Sequence, residues 1–306
     1  CEYSLLFLFL RTIVGMKFLI LFFTLMIQRY RGMSRSNTQS RTFARWFALF
    51  KDRAWFHKLS RNSRYVLVVF VPGILIGGSF LLLEDVLWGL LSILLEVALL
   101  LYVLRHADFD RYVDEYREKV ELGDAEGAFR CADQYIAIPE IELCNEPNEL
   151  HNQVSRTVLH RWFEFFFLMV FWFLIFGAPG VLIAWFTLQY SQLVHCEEKA
   201  WRPLHWLAWI PARLLGLTFA LVGNFVGAIA VWKTTLWNWR LPADIVLNRV
   251  AIAALSQEFE PKQPSAEDSS QDACDQMARL QMLHTRSVIV WLVIIALITI
   301  VGGTLY

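Results

Sequence analysis

Residues Arg161-Trp-Phe-Glu-Phe-Phe-Phe-Leu-Met-Val-Phe-Trp-Phe-Leu-Ile-Phe176 form an apolar run that Gly177-Ala-Pro-Gly180 interrupts, and a second apolar run follows to Val194. Read as one helix, the stretch would be about 45 Å long, too long for a hydrocarbon core of about 30 Å without steep tilt. Read as two arms, 162–176 and 180–194, each is about 22 Å long. Pro179 lacks an amide donor and restricts Ala178, while the flanking glycines permit a turn. A short hairpin entering and leaving on the cytoplasmic face and a kinked single span both fit, and the hairpin is favoured. Glu164 then lies near its mouth.

The composition agrees with a membrane setting. The chain is 57% hydrophobic and 15% aromatic with a mean hydropathy of +0.43, values typical of multi-pass membrane proteins and rare in soluble domains. The expected fold class is an all-α, multi-pass integral membrane protein with a re-entrant or kinked helical hairpin and an acidic helical cytoplasmic segment. Formal charge sums to zero, but its distribution is uneven.

Working outward towards the N-terminus, the segment 29–64 carries ten Lys and Arg residues against the single acid Asp52, which places it in the cytoplasm by the positive-inside bias. Within it Phe43, Phe47, Phe50 and Ala54 recur at helical spacing opposite Arg41, Arg45 and Lys51. That pattern predicts a basic amphipathic helix on anionic headgroups, with the lipid bilayer and no nucleic acid as its partner. Residues 1–15 precede the first methionine and read as an upstream extension. The first apolar helix, 16–28, is short for a crossing, so a half-inserted helix and a full span both remain.

The segment 65–104 reads as two spans, Tyr65–Leu83 and Val86–Leu104, joined by Glu84-Asp85. Pro72-Gly73 and Gly77-Gly78 permit a kink or a close helix contact. Glu96 lies in the middle of the second span, where an ionisable residue is a functional candidate by default. The segment 105–160 is acidic and water-soluble in character: a helix over Asp108–Leu122 stopped by Gly123, a helix over Ala125–Ile136 capped by Asp124, and a third from Asn148 that enters the membrane at Arg161.

Beyond the hairpin (161–194), the segment 195–257 predicts membrane-associated helices. On one helix over His205–Trp232, Arg213, Gly216, Ala220, Asn224 and Gly227 would share a face, with small residues for close approach and two polar groups in need of partners. Glu96 or Glu164 is the expected carboxylate for Arg213, in a structural lock more readily than a catalytic site. Trp237-Asn-Trp-Arg240 and Pro242–Gln257 suggest an interfacial amphipathic helix. A polar linker, 258–286, leads to a C-terminal anchor, 287–306.

Phosphate loops, nucleophile elbows, HExxH and dinucleotide-binding glycine patterns do not occur. The five cysteines are scattered and lack metal-ligand spacing. No catalytic residue, metal or cofactor is therefore assigned. A small-solute transporter with uptake dependent on Glu96 is the weakest of the readings that remain.

Several short segments resemble, in order, the AmpE / CobD–CbiB group of inner-membrane proteins. They are Ile27-Gln-Arg-Tyr-Arg-Gly32, Leu122-Gly-Asp-Ala-Glu-Gly-Ala128, Val170-Phe-Trp172 with Gly177-Ala-Pro-Gly180, and Trp209-Ile-Pro-Ala-Arg-Leu214. The final anchor with its polar approach resembles AmpE more than CbiB. In the ligase branch, which attaches aminopropanol during cobalamin synthesis, the resemblance implies acidic motifs; here Gln28 replaces the early acid and no Gly-Arg-Asp occurs between Arg105 and His160. The AmpE branch implies a bacterial inner-membrane signalling modulator of β-lactamase induction and cell-wall recycling, without a settled enzymatic activity. Its implied partners are a cytoplasmic muropeptide-recycling amidase or a small-molecule ligand. The candidate ligand or polar-face residues are Arg213, Asn224, Glu164, Glu96 and Arg29.

Overall fold

The computed structural model describes residues 17–27, 38–51, 53–82, 90–104, 107–136, 147–194, 202–256 and 266–304. Among them the fold is all-α, without strands. In chain order the helices are α1 (Lys17–Ile27), α2 (Thr38–Lys51), α3 (Ala54–Lys58), α4 (Arg61–Tyr65), α5 (Val71–Leu82), α6 (Leu90–Val103), α7 (Ala107–Glu121), α8 (Ala125–Cys131), α9 (Pro147–Trp162), α10 (Leu168–Phe176), α11 (Ala178–Val194), α12 (Arg202–Val222), α13 (Phe225–Leu236), α14 (Ala243–Leu255) and α15 (Ala266–Thr304). Widened π-helical turns join α4 to α5 at Val66–Phe70 and α9 to α10 at Phe163–Phe167.

Among the described residues four stretches are long and apolar enough to cross a membrane: Arg61–Ser79, Glu149–Phe176, Pro203–Val222 and Cys274–Leu297. The protein is an all-α, multi-pass integral membrane protein. α1 and Leu91–Val103 are shorter apolar helices. The Glu84-Asp85 turn and Arg29 lie outside the described residues.

The described residues form two compact units, one within Cys1–Arg105, Leu168–Leu207 and Ala296–Tyr306, the other within His106–Phe167 and Ala208–Ile295. The first is built around α11. Gly177 takes a positive φ of 68°, open to glycine at little steric cost, and reverses the chain so that Gly180 abuts the Trp172 carbonyl. The break is thus a hairpin turn between α10 and α11. Its first arm continues, without a break at Arg161, the helix that begins at Pro147.

The helix formed by α4 and α5 runs antiparallel to α11. Tyr65 and Thr187 share a hydrogen bond of 3.0 Å, Gly73 faces Ile183, and Gly77 faces Pro179. A Cβ on Gly77 would lie 2.7 Å from Pro179, so the glycines serve close approach. The apolar face of α2 also meets α11. Phe43 is 1% exposed against Trp185 and Phe186, and Phe47 packs edge-on to Tyr190. This face was expected on lipid headgroups; protein covers it, because periodicity identifies a buried face and not what buries it.

The second unit is built along α9. The Trp162 indole donates to Asp110 on α7 at 2.7 Å and stacks on His284 of α15 at 4.6 Å, while Phe167 meets Trp291 at 5.8 Å. The pairs 162/284 and 167/291 set α9 and α15 parallel. Gln281 bonds both Arg117 and Asp114 of α7. The anticipated linker 258–286 is therefore helical from Ala266, with side-chain bonds from α7 holding its polar part. As expected, Gly123 (φ 71°) ends α7, and the Asp124 carboxylate accepts from the Gly127 amide to start α8.

Gly77→Leu should destabilise the first unit by about 1–3 kcal/mol through overpacking. Gly78→Ala, with no atom within 4 Å of its Cβ, should leave stability unchanged. Thermal unfolding of the detergent-solubilised protein separates the two.

Candidate functional site

The sequence candidates do not converge on one centre. They divide between two polar constellations in the second unit and one acid in the first. Glu164 is the second residue of the π-helical turn after α9 and is 5% exposed. A π turn inserts a residue into the helical repeat and is frequent at functional positions. His160 Nε2 lies 3.2 Å from one Glu164 oxygen, and Arg161 Nη1 donates to the other at 3.3 Å. Arg156, one turn earlier, pairs with Asp244 at the start of α14. The result is an alternating row of bases and acids along α9 and the head of α14. His160 Nδ1 is buried without a partner among the described residues. The i,i+4 and i,i+3 spacing of His160 and Arg161 to Glu164 was legible in the sequence; the Asp244 contact, 88 residues distant from Arg156, was not.

Arg213 is 3% exposed on α12. No carboxylate pairs with it among the described residues, which corrects the expected bridge to Glu96 or Glu164. Its guanidinium donates to the carbonyls of Trp209 (3.2 Å), Asn238 (2.9 Å) and Leu241 (3.4 Å), and stacks over the Trp209 ring at 4.5 Å. Carbonyl dipoles and the indole quadrupole thus replace a formal counter-charge. The Trp232 indole closes the cage by donating to the Arg213 carbonyl at 2.8 Å. Arg213 Nε and Trp209 Nε1 are buried donors without partners among the described residues.

Asn224 does not share a helix with Arg213. α12 ends at Val222, and the Asn224 side chain caps α13 by accepting from the Gly227 amide at 3.2 Å. The Asn224 backbone N–H donates to the Ala254 carbonyl at 2.8 Å. The spacing argument assumed one continuous helix, and Gly223 interrupts it. The small residues still serve packing: a Cβ on Gly223 would meet Ala254, and one on Gly216 would lie 3.1 Å from Trp232. Glu96 sits part-buried on α6 in the first unit, within electrostatic range of Lys17, whose ammonium donates to the Leu174 carbonyl at 3.1 Å.

A third polar cluster, missed in the sequence, lies between α7, α8 and α9. The Tyr116 hydroxyl and His151 Nδ1 are 2.5 Å apart, and burial holds the Tyr116 phenol well above its usual range. Cys131, beneath α7, has its thiol pushed up to about 11 by burial, with Glu115 adding to the effect. Asp110 is likewise raised by burial, against the lowering effect of the Trp162 indole. No three His, Cys, Asp or Glu side chains converge as for a metal among the described residues.

Two outcomes follow. Glu164→Leu strands Arg161 and His160 and should cost about 3 kcal/mol in detergent unfolding, the low end for a broken buried pair because both partners are partly exposed. Cys131, a thiol at neutral pH, should resist alkylation in the folded protein and react on denaturation, as read by mass spectrometry.

Comparison with known proteins bears on what these constellations serve. Protein AmpE of Shigella flexneri is 25% identical over 244 residues, covering 75% of this chain and 82% of the relative. Cobalamin biosynthesis protein CobD of Chromobacterium violaceum is 26% identical over 161 residues, about half of each chain (50% and 51%). CobD of Stutzerimonas stutzeri is 27% identical over 96 residues, 29% of this chain and 32% of the relative. No solved structure matches. The family model described as regulatory signalling modulator protein AmpE matches residues 21–305, and with that the chain belongs to the AmpE family.

Proposed function

We propose that this protein acts in the bacterial inner membrane as a modulator of β-lactamase induction linked to cell-wall recycling. The observation that carries the reading is the extent of the family match, residues 21–305, which takes in both polar constellations. The relevant partner is a cytoplasmic muropeptide-recycling amidase or a small-molecule ligand reaching the row formed by Arg156, His160, Arg161, Glu164 and Asp244. Glu164 is satisfied within its own helix, so its charge is fixed in place without a substrate. An alternating row of bases and acids at a widened helical turn suits recognition coupled to a small rearrangement better than bond-making.

A second reading, an amide-forming enzyme of the cobalamin type, draws on the two CobD relatives. Tightly bound corrinoid or ATP turnover by the purified protein would favour it, and rescue of a cobalamin auxotroph would overturn the first reading.

The test compares a strain lacking the protein with strains restored by wild type, Arg213→Ala, Glu164→Gln or Ala220→Leu, in a host with inducible β-lactamase. Glu164→Gln, present at wild-type level in the membrane, should change induced activity several-fold with little effect on the basal level. Ala220→Leu, at a fully buried position, should lower the amount of protein and shift induction only in proportion. Arg213→Ala should behave like Ala220→Leu if its cage is a structural lock. Identical induction with and without the protein sinks the proposal.

A further inference from the structure

α12 meets the length and composition of a crossing helix, and Arg213 stands at its middle, the eleventh of the twenty residues Pro203–Val222. A perpendicular crossing would put Arg213 at the bilayer midplane. The bonds from Arg213 to the carbonyls of Asn238 and Leu241 then take the α13–α14 turn to the same depth. That turn is Trp237-Asn-Trp-Arg-Leu241. Trp237 is 82% exposed and Trp239 52%, while Asn238 and Arg240 are exposed and the Arg240 guanidinium stacks on the Trp239 ring at 5.2 Å. An outward-facing arginine and asparagine do not belong in hydrocarbon, whereas exposed tryptophans beside an arginine are the usual furnishing of the headgroup zone.

The neighbouring helices agree. α13 returns from Asn224 to this turn over 12 residues, about 18 Å, too short for a core of about 30 Å. α14 runs back to Ala254, whose carbonyl accepts from Asn224. Arg249 on α14 is exposed between the two ends. On α12 the exposed apolar residues Ile210, Leu214 and Leu221 fall within an arc of about 40° at about 100° per residue. The opposite side of the helix (Ala208, Ala212, Leu215, Phe219) is buried in protein. Between 202 and 256 the chain carries Arg202, Arg213, Lys233, Arg240 and Arg249 against one acid, Asp244, which Arg156 already holds.

We infer that α12 and α13 lie in the membrane–water interface and do not cross the bilayer: Ile210, Leu214 and Leu221 rest on acyl chains, and the Trp237–Arg240 turn sits among anionic headgroups. Arg213 is the pin that holds the turn at that level. A single apolar stripe on a helix otherwise covered by protein is what an in-plane helix requires, and a net basic surface is what anionic lipid attracts.

The experiment uses the full chain with Cys1, Cys144 and Cys196 changed to Ser, the buried Cys131 and Cys274 retained, and single reporters Pro203→Cys, Phe225→Cys and Arg240→Cys. A membrane-impermeant maleimide is applied to intact spheroplasts and to inverted vesicles. All three reporters should label from one and the same side. Labelling of Pro203→Cys and Phe225→Cys from opposite sides overturns the inference. Disulfide capture of two Arg240→Cys chains does so too, by placing a second copy on the turn. In a second arm, protein carrying Asn238→Cys with an environment-sensitive fluorophore is reconstituted in vesicles with and without phosphatidylglycerol. The emission should shift to the blue with the anionic lipid, and adding Arg240→Glu should remove the difference. An equal spectrum in both vesicles overturns the headgroup assignment.

Discussion

An arginine that leaves water must find acceptors for its N–H groups, and in this chain Arg213 donates to main-chain carbonyls. Much of the second unit follows from that need. The carbonyls of Asn238 and Leu241 reach Arg213 only if the chain reverses after α12 and comes back, which Gly223 and the Asn224 cap allow. The reversal brings Trp232 alongside, where its indole closes on the Arg213 carbonyl and its ring fills the space above Gly216. α14 then starts from the same turn and carries Asp244 to Arg156. One buried cation thereby links a helix break, a hairpin, a turn and an inter-helix ion pair. Its use of dipoles in place of a carboxylate avoids burying a second charge, which would add its own desolvation cost.

The first unit obeys a different constraint, that of backbone proximity. Gly73 and Gly77 let α5 lie against Ile183 and Pro179, and Gly177 turns α10 into α11. Lipid tails offer no hydrophobic gain for helix association, so dispersion across such close contacts and a few hydrogen bonds carry it. Tyr65 to Thr187 and Lys17 to the Leu174 carbonyl are two of these. The aromatic cluster of Phe43, Phe47, Trp185, Phe186 and Tyr190 adds large side chains in edge-to-face and tilted arrangements.

What was legible in the sequence was local. Gly123 and Asp124 end one helix and begin the next by chemistry within four residues, and both act so in the structure. The Gly177-Ala-Pro-Gly180 break is a turn for the same reason. Readings that depended on distant partners failed. The face joining Arg213 to Asn224 presumed an unbroken helix, and a carboxylate was assigned to Arg213 because backbone acceptors 25 and 28 residues away leave no trace in composition. The polar stretch before the last anchor is a helix, docked through Gln281 on Arg117 and Asp114 across more than 160 residues. The π turn at Phe163–Phe167 has no sequence signature at all.

The position of Glu164 shows how the two kinds of information combine. Its bonds to His160 and Arg161 are local, set by helical spacing. The π turn that holds it is not, since a widened turn persists only where surrounding packing compensates the lost helical hydrogen bond, here Phe163, Phe166 and Phe167 buried against neighbours that include Trp291. Removing the extra residue from that turn would rotate every side chain beyond it by about 100°, taking Phe167 away from His284 and Trp291. The turn and its aromatic seat therefore stand or fall together, and the Glu164 ion pairs lie at their edge.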